Sequence, residues 1–269
     1  MTILVLGGTG KTGRRIVDRL TALDVPVRVG SRSATPAFAW DDRSTWPDVL
    51  DGATAAYLSY YPDLAMPGAY DDIKAFTELA LDKGVRRLVL LSGRGEPEAQ
   101  ASERTIQESG AEWTILRCSW FMQNFSEGHL LDQVLEGVIA IPAADVPEPF
   151  LDVDDIADAA VAALTQPGHG GKLYELTGPR LLTFAEVARE LSEATGRQIV
   201  SLQVTREEFV AAAVAAGALR EEAEGLAEMF TDILDGRNAH LNDGVHEALG
   251  RPARDFTDFA RANAKTWTP

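Results

Sequence analysis

The stretch Met1-Thr-Ile-Leu-Val-Leu-Gly-Gly-Thr-Gly-Lys-Thr-Gly13 decides how the rest of this chain is read. Ile3 to Leu6 form an apolar run of strand length that ends abruptly in glycine. After Gly13 the pattern changes: Ile16, Val17, Leu20 and Leu23 recur at helical spacing, with Arg14, Arg15, Asp18 and Arg19 between them. The reading is strand, glycine-rich turn, amphipathic helix. Such a turn can hold a diphosphate, because glycines let the backbone approach closely, the first helical N–H groups point at the anion, and the helix dipole adds partial positive charge. The spacing is Gly7-x-x-Gly10-x-x-Gly13 and not GxGxxG. Gly10-Lys11-Thr12 looks like the end of a P-loop, but that motif needs a glycine where Val5 sits inside the strand.

A chain of 269 residues, 45% of them hydrophobic, can bury one large core or a core with an added lobe. The net charge of −16 argues against nucleic acid and anionic membranes as partners, since both demand a basic face. The exception is local: Lys11, Arg14, Arg15, Arg28 and Arg32 crowd the first motif, where an anionic cofactor would lie. The one cysteine, Cys118, excludes an internal disulfide and is expected to be a packing residue. No signal peptide is recognisable, and no apolar run reaches the ~18 residues of a membrane helix, so a cytoplasmic location is expected. The four histidines are scattered without metal-ligand spacing, so no metal is expected.

Val25 to Val29 predict a second strand, closed by Gly30-Ser31-Arg32-Ser33. In a dinucleotide fold this position meets the adenosine ribose. An acid there binds the 2′-OH of NAD, whereas arginine with hydroxyls accommodates the 2′-phosphate, so Ser31, Arg32 and Ser33 predict NADP(H). Phe38-Ala39-Trp40 reads as a short third strand with Asp41 and Asp42 after it, either of which can accept from an adenine amino group or simply form a turn. Further strands are expected at Ala55–Leu58, running out into Ser59-Tyr60-Tyr61-Pro62, at Arg87–Leu91, opening into Ser92-Gly93-Arg94-Gly95, and at Trp113–Leu116. Helices are expected between them, including 70–83 and 99–109. Beyond lie strands at 138–142, 173–176 and 199–204 and helices at 156–165, 206–236 (one or two) and 256–266, with Thr183-Phe-Ala-Glu186 opening another through a capping box. This alternation predicts an α/β protein: a doubly wound parallel-sheet Rossmann fold with a smaller C-terminal α/β lobe. Residues 1–150 form the NADP(H)-binding domain, 151–177 return to it, and 178–269 form the substrate-covering lobe.

These residues together resemble the NmrA-like branch of the atypical short-chain dehydrogenases. The resemblance rests on Gly7-Gly-Thr-Gly-Lys-Thr-Gly-Arg14, Arg32, Leu91-Ser-Gly93, Trp113-Thr-Ile-Leu-Arg-Cys-Ser-Trp-Phe-Met-Gln-Asn-Phe125 and Phe150-Leu-Asp-Val-Asp-Asp-Ile-Ala157. It spans about residues 1 to 200 and is closest to ergot-alkaloid-dehydrogenase-like, quinone-reductase-like and triphenylmethane-reductase-like members. It implies NADP(H) as cofactor and either reductase activity, often in natural-product (antibiotic) biosynthesis, or silent redox sensing.

One departure constrains the chemistry. Typical short-chain dehydrogenases carry Tyr-x-x-x-Lys about a dozen residues after the serine that ends their catalytic strand. Here Arg94 to Glu108 contain neither residue. Tyr70-Asp-Asp-Ile-Lys74 has the spacing but lies in an earlier helix, where packing and solvation explain it. A ketone needs a proton donor, whereas a quinone or iminium ion accepts hydride without one, so electron-poor conjugated acceptors are indicated.

The cofactor-binding candidates are Gly7, Thr9, Gly10, Lys11, Thr12, Gly13, Ser31, Arg32, Ser33, Asp41, Ser59, Ser92 and Gly93. Ser92, Asn124 and Tyr60 are the catalytic candidates, and Arg94, Trp120, Phe121, Met122 and Phe125 the candidates for a flat apolar substrate pocket, against the bland reading of the aromatic run as core. The expected activity is an NADPH-dependent reductase of a planar conjugated small molecule. The alternatives are an NADPH-dependent hydroxylation through an oxygen-reactive reduced substrate, and a non-catalytic NADP(H)-sensing regulator. Monomer and homodimer both remain open.

Overall fold

The computed structural model describes residues 2–268; Met1, at the head of the decisive stretch, lies outside them. Along the chain run β1 (Thr2–Leu6), α1 (Lys11–Ala22), β2 (Val27–Gly30), α2 (Trp46–Leu50), β3 (Ala53–Leu58), α3 (Ala69–Asp82), β4 (Arg87–Gly93), α4 (Pro97–Glu108), β5 (Glu112–Cys118), α5 (Asn124–Glu127) and α6 (Leu131–Glu136). There follow β6 (Val138–Ile141), α7 (Val153–Thr165), β7 (Lys172–Leu176), α8 (Phe184–Thr195), β8 (Val200–Gln203), α9 (Arg206–Ala215), α10 (Arg220–Ile233), α11 (Gly244–Leu249) and α12 (Phe256–Asn263).

The elements form two compact units. The first comprises the chain up to Cys118 with Val153–Leu176 and Asp243–Pro252. Its six strands are all parallel, in the order β2-β1-β3-β4-β5-β7. Strand order reverses between β1 and β3, since the chain first steps outward to β2 and then returns to the other side of β1; ligands of such sheets lie beyond the strand ends at this switch point. Ile3 to Leu6 and Leu88 to Leu90 are wholly buried, as runs covered on both faces must be. On one side α7, rich in alanine and buried at ten positions, packs closely against α1. Arg19 there reaches Asp154 and Asp158, each at 2.6 Å, and Arg251 pairs with Asp155 at 2.8 Å.

Phe38-Ala39-Trp40 is not a strand. Only an isolated bridge, Ala39 to Asp42, forms there, because Phe38 and Trp40 turn inward to pack edge-on against Phe76 of α3. This segment is thus an aromatic plug on the sheet's flank.

The second unit comprises Ser119–Asp152, Thr177–Asn242 and the chain from Ala253. A cut at residue 150 therefore misplaces Ser119–Asp152, which shares its core with the later chain, while α11 belongs to the first unit. That core gathers Phe125, Phe150, Phe184, Phe230 and Phe256 around Trp267, whose indole N–H donates to the Phe125 carbonyl at 2.8 Å. A two-stranded parallel sheet, β6 with β8, flanks it. The capping box predicted at Thr183 and Glu186 is present, and Thr205 with Glu208 makes another. No helix among the described residues is long and apolar enough to cross a membrane.

Candidate functional site

The glycine turn is built from close backbone contacts. Gly7 adopts φ +65°, its N–H donates to Gly30 at 2.9 Å, and its carbonyl accepts from the Gly10 N–H at 2.8 Å. Gly13, inside the first turn of α1, is pressed onto this carbonyl so tightly that an added Cβ would lie 2.1 Å from the Gly7 oxygen. The turn's outer edge is different: a Cβ on exposed Gly10 would meet only that same oxygen, at 3.2 Å. No side chain caps α1, and its first turn carries no acid. Burial, reinforced by Arg14 and Arg15, lowers the Lys11 amine below its ordinary value. An uncapped helix start with cationic side chains and an open outer edge fits a bound diphosphate.

Beside it, Ser31 Oγ lies 3.3 Å from Ser33 Oγ, and the Arg32 guanidinium sits over the Tyr61 ring at 5.6 Å. Arg32 follows β2 and Tyr61 follows β3, so their contact spans the end of β1, which lies between those strands. Ser59 packs against Gly7, where an added Cβ would come within 3.3 Å of the serine Cβ. Of the two aspartates, Asp42 is spent locally, accepting from Ser44 N–H at 3.0 Å and Ser44 Oγ at 2.6 Å, while Asp41 stays exposed. Arg28 is not part of the anion site; it donates to the Val49 carbonyl at the end of α2 at 2.8 Å. Arg15 shares Asp154 with Arg19.

A buried polar network lies at the end of β4. Ser92 is buried and its hydroxyl donates to Glu103 Oε1 at 2.6 Å. Glu103, buried on α4, also receives Arg117 through Nε at 2.9 Å and through Nη2. Arg117 Nη1 then reaches Glu175 at 2.8 Å, and Glu175 lies 3.7 Å from Arg94. Arg94 is only 4% exposed. Tyr60 is tied down as well: its hydroxyl donates to Asp72 at 2.9 Å, and Asp72 also holds Arg43 at 2.8 Å. Burial and then Asp72 push the Tyr60 phenol up to about 12, which makes it a poor acid near neutrality. Tyr70 is exposed and not packed, while Lys74 is solvated and pairs with Glu78 at 2.9 Å on the same helix.

In the second unit, Met122 and Phe125 belong to the hydrophobic core. Phe125 is packed edge-on against Phe150 and Phe256. Trp120 is stacked on Phe230 at 5.2 Å, Phe121 is half-buried, and Asn124 begins α5, largely buried. The bland reading of the aromatic run thus holds for its most apolar members, since neighbours far along the chain fill the space around them. Cys118 is buried, and burial pushes its thiol up, as a packing residue requires. Among the described residues, no group of three or more His, Cys, Asp or Glu is placed to hold a metal.

One carboxylate escaped sequence reading altogether. Glu96, the residue before α4, does not cap the helix with its side chain but folds back over Gly93, so that a Cβ on Gly93 would lie 2.0 Å from its Oε2. Burial, followed by Asp63, Glu98 and Glu103, pushes this carboxyl up to about 8. The bare Gly93 ahead of it was the only signal in the sequence.

No protein-family profile matches the chain. It is 35% identical to an agroclavine dehydrogenase of Claviceps fusiformis over 99% of each chain. It is 31% identical to an NAD(P)H azoreductase of Xenophilus azovorans, over 97% of this chain and 98% of that one. The Citrobacter sp. triphenylmethane reductase, solved with NADP(H), superposes with a TM-score of 0.80 at 21% identity, over 98% of this chain and all of that one, a likeness of fold. With the Gly7–Gly13 turn, Arg32 and the parallel sheet in place, these full-length relationships make the chain a member of the NAD(P)H-binding atypical short-chain dehydrogenases.

Proposed function

We propose that this chain is an NADPH-dependent reductase that delivers hydride to a planar, electron-poor, conjugated acceptor such as a quinone, an iminium ion or an aromatic polyketide intermediate. The observation that carries the cofactor half is the uncapped start of α1 beside Ser31, Arg32 and Ser33. Main-chain amides of the turn bind the diphosphate, Ser59 and Gly7 shape its floor, and Arg32 meets the 2′-phosphate. When bound, the reduced dinucleotide supplies hydride. The chain's own contribution is to orient the nicotinamide and acceptor and to exclude water.

The acceptor half is supported by a relative whose name is that of an azoreductase. NADPH oxidation should be followed across a panel of quinones, iminium ions, azo compounds and aromatic polyketide intermediates, with calorimetric titration of NADPH and NADH alongside. Micromolar NADPH binding with turnover of at least one conjugated acceptor is expected. Tight NADP(H) binding with no turnover across the panel would instead indicate the regulator reading.

A further inference from the structure

We propose that Glu96 is the proton donor of this reductase, standing in for the tyrosine that the chain lacks. This rests on the reductase reading above. The argument begins with position: β4 lies in the middle of the parallel sheet, and ligands of such sheets bind beyond the carboxyl ends of their strands. Gly93 is the last residue of β4, and the Glu96 carboxyl lies against it, with Cδ 2.5 Å and Oε1 2.9 Å from where a Gly93 Cβ would be. Only glycine leaves room for it. At the start of α4, Glu96 makes no side-chain hydrogen bond to the helix amides that would hold it ionised.

Its surroundings favour the neutral acid. It is half-buried, and the charged groups acting on it most are carboxylates: Asp63 from the loop after β3, and Glu98 and Glu103 from α4. The nearest part of the buried network is already balanced, since Glu103 is held by Arg117, and Arg94 faces Glu175. A carboxyl pushed up to about 8 is mostly protonated at neutral pH and gives its proton up readily, as a general acid must. Tyr60, the other candidate in the first unit, is held by Asp72 with its phenol raised.

The step balances. As an acceptor carbonyl takes up hydride, the Glu96 O–H bond breaks, an O–H bond forms at the carbonyl oxygen, and the carboxylate regains a proton from water. An azo nitrogen takes its proton in the same way. A triphenylmethane dye cation needs hydride alone, which provides an internal comparison.

The test uses the full chain and Glu96→Gln, with Gly93→Ala as a second variant that evicts the carboxyl without altering it. Three readouts are taken: kcat and KM on an azo compound and on a triphenylmethane cation, the pH profile of kcat, and the infrared carboxylic acid band of the protein without ligands. Glu96→Gln is expected to lower kcat on the azo compound about 100-fold, with the KM for NADPH nearly constant, and to lower kcat on the dye cation by less than about threefold. The wild-type profile on the azo compound should fall above about pH 8. The wild-type acid band should disappear over the same range and be missing in Glu96→Gln. Equal losses on both acceptors, no loss on either, or an acid band unchanged by the substitution would overturn the assignment. Failure of the wild-type protein to reduce any acceptor while the band behaves as expected would instead overturn the reductase reading, and the proton-donor role with it.

Discussion

Replacing Gly13 by alanine isolates the contact on which the dinucleotide site is built. On an exposed helix face, glycine to alanine stabilises by about 0.5–1 kcal/mol, because alanine loses less backbone entropy on folding. At Gly13 the new methyl would stand 2.1 Å from the Gly7 oxygen, 2.6 Å from the Gly7 carbonyl carbon and 2.7 Å from Gly8 Cα. All three are main-chain atoms, and Gly7 is pinned between Gly30 and Gly10 by hydrogen bonds of 2.9 and 2.8 Å. Reaching ordinary contact therefore requires the start of α1 to move by about 1 Å. Overpacking of that kind costs about 3 kcal/mol, which outweighs the propensity gain and leaves a net loss of about 2 kcal/mol. For a protein of this size that lowers Tm by about 4–8 °C. The same shift displaces the N–H groups aimed at the diphosphate, and NADPH affinity should drop at least about 100-fold. Gly225→Ala is the control: it lies on exposed α10 with nothing within 4 Å of an added Cβ, and should raise stability slightly. Thermal unfolding and calorimetric titration of both variants decide the matter. A Gly13→Ala protein as stable as Gly225→Ala, or one that binds NADPH like the parent, would refute the close-contact account of the turn.

Other consequences are equally direct. Arg32→Asp sets a carboxylate against the 2′-phosphate and should weaken NADPH about 100-fold while changing NADH less than about threefold, read as the ratio of dissociation constants. Glu103→Leu leaves Arg117 with Glu175 alone and Ser92 without its acceptor, and should cost about 3 kcal/mol in urea denaturation; Glu103→Leu with Arg117→Met should cost less than the single change. In the second unit, Arg180 holds the Asp255 carboxyl down at about 2, with its hydrogen bond the leading cause. A depressed carboxyl stabilises fully above its unfolded value, near 3.8, and loses that contribution as pH falls towards 2. Both side chains are about a third exposed, so screening reduces the effect to about 1 kcal/mol. Arg180→Met should therefore flatten the acid limb of a stability-against-pH curve between pH 4 and 2.

Much of this was legible one residue at a time. Strand β1, its glycine turn and α1 follow from local pattern: an apolar run, residues without side chains where the main chain must touch itself, then helical periodicity. The parallel sheet follows from repetition of that pattern, and Arg32 from its place after β2. These features depend on neighbours within about a turn or a strand, so the sequence contains their causes.

Tertiary structure alone decided the rest, because the deciding partners come from distant parts of the chain. Sheet order carries Glu175 to Arg117 and α4 carries Glu103 to Ser92, turning a presumed substrate contact into a buried network. The aromatic run after β5 reads equally as pocket or core until Phe150, Phe184 and Phe256 arrive around Phe125. Tyr60 looks like a donor until α3 sets Asp72 on its hydroxyl, and Glu96 looks like any surface acid until its carboxyl is seen resting on Gly93. Composition and spacing thus determined which backbone would form, whereas the protonation and accessibility of its polar groups depend on burial and on opposing charge, which exist only once the chain has folded.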